Sequence, residues 1–82
     1  MDTIEPLYIL LNFFDSEVLI RLKSGQTMIG KFIKFYRKSY KEVEWRFLEK
    51  QQVHMYKSEN DLHYTKVVQN HEILEVIRVE NT

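Results

Sequence analysis

VLIRLKSGQTMIGKFIKFYRKSY, residues 18–40, decides how this chain folds. Val18, Ile20 and Leu22 alternate with Leu19, Arg21 and Lys23, the period of two that gives a strand one face on a core. Ser24-Gly25 supplies a turn, with Gly25 available for a positive φ. A second strand then runs from Gln26 to about Tyr36 and is interrupted by Gly30. A glycine inside a strand predicts a bulge or sharp bend, and a bend at Gly30 would let one long strand serve both sheets of a barrel. The stretch ends on Tyr36 and Tyr40, set among Lys34, Arg37, Lys38 and Lys41.

Upstream, the period is helical. Ile4, Leu7, Leu10, Leu11 and Phe14 make one apolar stripe, Asp2 or Thr3 suits the N-cap, and Pro6 falls in the first turn, where its missing N–H costs nothing. The spacing predicts an amphipathic helix over about 3–13, closed by Asp15 and Ser16.

Downstream, Val43, Trp45, Phe47, Val53 and Met55 share one parity, which predicts a third strand that leaves the core or bends near Glu49 and Gln51. Trp45 and Phe47 are core candidates. KSEND, residues 57–61, reads as a turn, LHYTKVVQ, residues 62–69, as a fourth strand, and EILEVIRV, residues 72–79, as a fifth. So few polar residues in the fifth strand predict cover on both faces, part of it from a neighbouring subunit. The fold expected from this pattern is mainly β, a short N-terminal helix followed by five strands that form a small closed barrel with a bent second strand, whose closure satisfies the strand edges.

The 82 residues make one domain, 1–82, with a modest core. A hydrophobic content of 44% supports folding, and the absence of cysteine removes disulfides as reinforcement, so association is expected. No apolar run is long enough to span a membrane, and MDTIEP lacks the basic start of a secretory signal, which points to a soluble, cytoplasmic protein. The net charge of zero is unevenly spread. Residues 1–20 hold Asp2, Glu5, Asp15 and Glu17 with no base, whereas residues 21–50 hold nine bases against Glu42, Glu44 and Glu49. Such segregation places a basic surface on a neutral protein and attracts anions locally.

Together, EPLYILL (5–11), VLIRLKSG (18–25) and MIGKFIKF (28–35) resemble the first motif of Sm-like proteins, and VVQNHEILEVIRV (67–79) resembles the second in position and hydrophobic shape. The resemblance covers nearly the whole chain. It implies a strongly bent five-stranded SH3-like or Sm-like barrel that assembles into a ring of six or seven subunits, the fourth strand of one protomer pairing with the fifth of the next, and binding of single-stranded RNA around the ring. The ligand positions depart from the family. Where its first motif closes with Asp, three residues and Asn, this chain has Tyr36 and Tyr40, and where the second has Arg-Gly it has Gln69 and Asn70, followed by His71. The usual base-contacting Asn and its supporting Arg therefore do not carry over.

A rewritten site remains, with Tyr36 and Tyr40 for stacking, Lys34, Arg37, Lys38 and Lys41 for phosphate, and Asn70 and His71 for hydrogen bonds. The same tyrosines also suit plain packing at a barrel mouth. His54, His63 and His71 lack metal-ligand spacing, and no phosphate loop, nucleophile motif or informative acid pair is present. The expectation is a protein without catalysis, metal or cofactor that binds RNA or a small nucleotide, or else a protein-interaction module that kept the barrel and lost RNA recognition.

Overall fold

The structure is a computed structural model that describes residues 4–39, 42–59 and 61–79. Helix α1 (Pro6–Phe13) is followed by strands β1 (Val18–Leu22), β2 (Thr27–Arg37) and β3 (Val43–Glu49), then helix α2 (Val53–Glu59), β4 (Lys66–Gln69) and β5 (Ile73–Arg78). The strands form one antiparallel sheet in the order β4-β3-β2-β1-β5.

Pro6 opens α1 with its φ already helical, and Glu5 stands at the N-cap without a side-chain cap bond. The predicted caps Asp2 and Thr3 lie outside the described residues. Ile9 is fully buried, and Leu10, Phe13 and Phe14 pack against the core from the same side. Asp15 leaves the helix at φ 64°, a left-handed conformation that Asp tolerates, and its N–H donates to the Phe32 carbonyl at 3.1 Å.

Val18, Ile20 and Leu22 of β1 all face the core, as their alternation predicts. A four-residue loop, Lys23 to Gln26, joins β1 to β2, with Gly25 at φ 98° and its N–H bonded to the Leu22 carbonyl at 2.9 Å. Beneath the sheet, Phe32, Trp45 and Phe47 form an aromatic cluster, with the Phe32 ring 4.9 Å from Trp45 and 5.2 Å from Phe47.

Five expectations change. The register of β2 on β3 shifts at Ile33, between Phe32 and Lys34, and not at Gly30. Gly30 has a different reason to be glycine: a Cβ there would sit 2.0 Å from the Leu48 carbonyl oxygen, so β3 crosses at a distance no side chain allows. The third strand stops at Glu49. Residues 50–52 form a 3-10 turn, and Val53 and Met55, expected on the strand, belong to α2. Their shared parity was coincidental, because Lys50, Gln51, Gln52, Met55, Lys57 and Glu59 are all strong helix formers.

The fourth strand is likewise shorter. Asp61 accepts from the His63 N–H at 2.9 Å and caps a 3-10 turn over Leu62–Tyr64, so only Lys66–Gln69 remain extended. Lys57 to Glu59, read as a turn, finish α2 instead. Finally, the sheet is open and is not a closed barrel. A 3-10 turn at Asn70–Glu72, held by a reciprocal Gln69 and Glu72 capping box, carries β5 away from β4 and onto β1. On β5, Ile73 is buried while Leu74 and Ile77 are exposed in the single chain.

The two glycines predict unequal costs. Gly25→Ala has open space around the added methyl and suffers only the left-handed backbone, about 1 to 2 kcal/mol. Gly30→Ala must push β3 aside and is expected to lose about 3 kcal/mol or more in urea unfolding.

Candidate functional site

Strand register sorts the predicted ligand residues onto two faces. After the shift at Ile33, Phe35 pairs with Trp45 and Arg37 with Val43 on the core side, whereas Lys34 pairs with Arg46 and Tyr36 with Glu44 on the outer side. Glu44 in turn pairs with Gln69, and Arg46 with Val67. Lys34, Tyr36, Glu44, Arg46 and Gln69 thus form one outer strip across three strands.

The Tyr36 ring is 65% exposed, so it does not pack over the sheet. A shallow cleft of about 230 Å³ lies beside it, lined by Lys34, Phe35, Tyr36, Glu44, Arg46 and Leu62. Glu44 is held in place from both sides: Lys38 Nζ lies 3.7 Å from its Oε1, and Gln69 Nε2 donates to the same oxygen at 2.9 Å. The positive charge of Lys38 is therefore partly offset. Lys34 and Arg46 have no ion-pair partner among the described residues, although they stand directly opposite each other. Like charges opposed across antiparallel strands destabilise the pair.

Arg37 projects the other way. It borders a second cleft of about 170 Å³ between α1 and the sheet, with Glu5, Pro6, Leu7, Leu10, Phe35, Val43 and Trp45, and its Nε donates to the Ser39 carbonyl at 3.3 Å. Tyr40 and Lys41 lie outside the described residues. His71 is exposed on the 3-10 turn before β5.

Asn70 is turned inward and only 1% exposed. Its Oδ1 accepts the Trp45 indole N–H at 3.0 Å, and its Nδ2 donates to the Ile4 carbonyl at 2.7 Å. Both ends of the amide are committed to the fold. The structure therefore brings Lys34, Tyr36 and Lys38 together, sets Arg37 on the opposite face, and gives Asn70 a structural task.

Sequence reasoning missed Arg46, Glu44 and Gln69 as neighbours of Tyr36. Outward parity placed Arg46 and Glu44 correctly, but only the register set them across from Lys34 and Tyr36. His54, His63 and His71 lie on three separate local elements, and among the described residues no group of three or more His, Asp or Glu could hold a metal ion. Among those residues, too, no helix is long and apolar enough to cross a membrane.

Comparisons with protein-family models, with curated proteins and with solved structures give no match.

Asn70→Ala removes the partners of two inward polar groups at once. It is expected to lower unfolding free energy by about 2 to 4 kcal/mol. Trp45 is the single tryptophan, so a shift in its fluorescence in the folded variant reports loss of the indole bond directly.

Proposed function

We propose that this chain is a non-enzymatic, Sm-like protein that binds a small nucleotide or single-stranded RNA on the outer strip of β2 and β3. One observation carries the reading: Lys34 and Arg46, two cations without an ion-pair partner among the described residues, face each other across strands beside an exposed Tyr36. A phosphate between the cations relieves their repulsion, and a base can stack on the tyrosine. Lys38, Glu44 and Gln69 supply the adjoining polar edge, with the Glu44 carboxylate able to accept from a base amino group. Binding of this kind is tolerant of sequence, because stacking and phosphate contacts carry it.

The Sm-like part of the proposal rests on the motif resemblance and on strand order. β4 and β5 are the two edges of the sheet, the pair that the resemblance would join between neighbouring copies. The two edges differ, so such pairing is head to tail and closes into a ring when the rotation permits. A cytoplasmic location accords with RNA or nucleotide as ligand. A second reading, a protein-interaction module, draws on one specific observation, the exposed apolar side of α1.

The test is binding of labelled single-stranded RNA and a nucleotide panel by fluorescence anisotropy over a salt series, with native mass spectrometry for subunit number. Tyr36→Ala is expected to weaken binding by about 1 to 3 kcal/mol. Lys34→Ala and Arg46→Ala are each expected to flatten the salt dependence for RNA by close to one phosphate contact. The same two variants are expected to gain about 0.2 to 1 kcal/mol of folding stability, because each removes the like-charge opposition. A wild-type protein that binds no RNA and no nucleotide at low salt would sink the ligand reading, and a purely monomeric mass would sink the ring.

A further inference from the structure

We infer that the solvent side of α1 is a self-complementary interface on which a second copy of this chain packs antiparallel, helix against helix. The inference does not depend on the nucleotide reading.

Helix α1 contains no charged residue within Pro6–Phe13, and its two long sides are both apolar. Ile9 is buried beneath, with Leu10 and Phe13 against the core. On the solvent side Leu7 is 62% exposed, Tyr8 54% and Leu11 73%, values above those of Ile29 at 40% and Ile77 at 46% on the outer sheet. Leu7 and Leu11 are four residues apart, one turn of helix, and Tyr8 lies beside them, so the three form one continuous stripe. The helix is about 12 Å long, and Leu7 to Leu11 span about 6 Å of it at its middle. Water-exposed leucines at helical spacing with no charge among them are what a partner helix covers.

Charge at the two ends selects the occupant. Glu5 stands at the N-cap, on the flank that continues through Tyr8 and Asn12 at spacings of three and four residues. Arg78, from the end of β5, closes the other end of that flank. It donates to the Asn12 carbonyl, and its guanidinium lies 5.7 Å from the centre of the Phe13 ring, which Tyr8 meets edge-on at 5.7 Å. That flank therefore carries Glu5 at one end and Arg78 at the other.

Turning a second copy by half a revolution about an axis through the stripe sets its Arg78 end beside Glu5 and its Glu5 end beside Arg78. The two opposed charges meet twice, while Leu7, Tyr8 and Leu11 meet their own counterparts. An interface of this isologous type uses one patch on both subunits, and here that patch supplies both signs of charge. A parallel arrangement would put this flank of the two copies on opposite sides of the interface, so neither contact between Glu5 and Arg78 would form. The antiparallel hand follows from that difference. It is a different surface from the β4 and β5 edges, so two copies, or two larger assemblies, can be joined through it.

The chain has no cysteine, which makes cross-linking clean. Leu11→Cys is expected to oxidise to a disulfide-linked pair about tenfold faster than Lys23→Cys on the β1–β2 loop, at equal protein concentration. Glu5→Arg alone and Arg78→Glu alone are each expected to weaken association about tenfold in sedimentation, through repulsion at both charge contacts. Mixed one to one, they are expected to associate with each other as well as wild type does, because both contacts are restored in the mixed pair. Loss of the Arg78 bond to Asn12 cannot produce that recovery. Cross-linking of Leu11→Cys no faster than the Lys23→Cys control, or a mixture that associates no better than either charge variant alone, would overturn the inference.

Discussion

The amide of Asn70 is the polar joint on which the arrangement depends. It accepts from Trp45 in the central strand β3 and donates to Ile4 at the entry to α1, while its own backbone begins the turn that sends β5 across to β1. Three parts of the chain are therefore fixed by one side chain. Trp45 is the largest residue of the core, and its ring contacts Phe14, Phe32 and Phe35. An apolar residue at position 70 could fill the space but would leave the indole N–H and the Ile4 carbonyl without these partners, and such buried groups are costly to orphan. Orientation of the indole sets the far ends of β2 and β3, where both clefts form.

Those two clefts lie on opposite faces of the same strand pair, and their chemistry differs accordingly. The inner one is walled by α1, Phe35 and Trp45. The outer one is bordered by cations and by an exposed tyrosine. Neutral overall charge conceals this, because Glu44 engages Lys38 while Lys34 and Arg46 keep their charge. The charge of the outer strip is a property of local register and not of the total charge, and the fold by itself does not dictate it.

Much of the first half of the fold was legible in the sequence. Pro6, the alternation of β1 and the turn at Gly25 each act locally, through φ preference or side-chain parity, and a local rule can be read locally. Trp45 and Phe47 were legible for the same reason. The second half was harder. Val53 and Met55 happened to keep the strand parity into a segment whose helix propensity prevailed, and Asp61 claimed the next residues for a capped turn. The purpose of Gly30 was visible only once β3 lay against it. Asn70 looked like a ligand residue because a polar residue in a short link usually faces water, and only the distant Trp45 and Ile4 give it work inside. Tyr36 was legible as an exposed aromatic among bases, but its partners Arg46 and Glu44 came from the register across the Ile33 shift.

Two hydrogen bonds hold α1 to the far end of the chain: Asn70 to Ile4 at its start, and Arg78 to Asn12 at its end, each spanning 66 residues of sequence. During synthesis the helix emerges long before either anchor exists. Eight residues are too few to hold helical structure in water unaided, so α1 depends on docking against the sheet for its shape. Until then its leucines and phenylalanines are uncovered on the nascent chain. The β1–β2 hairpin can close early from local pairing, whereas the two hydrogen bonds that anchor the ends of α1 form only once residues 70 and 78 are in place.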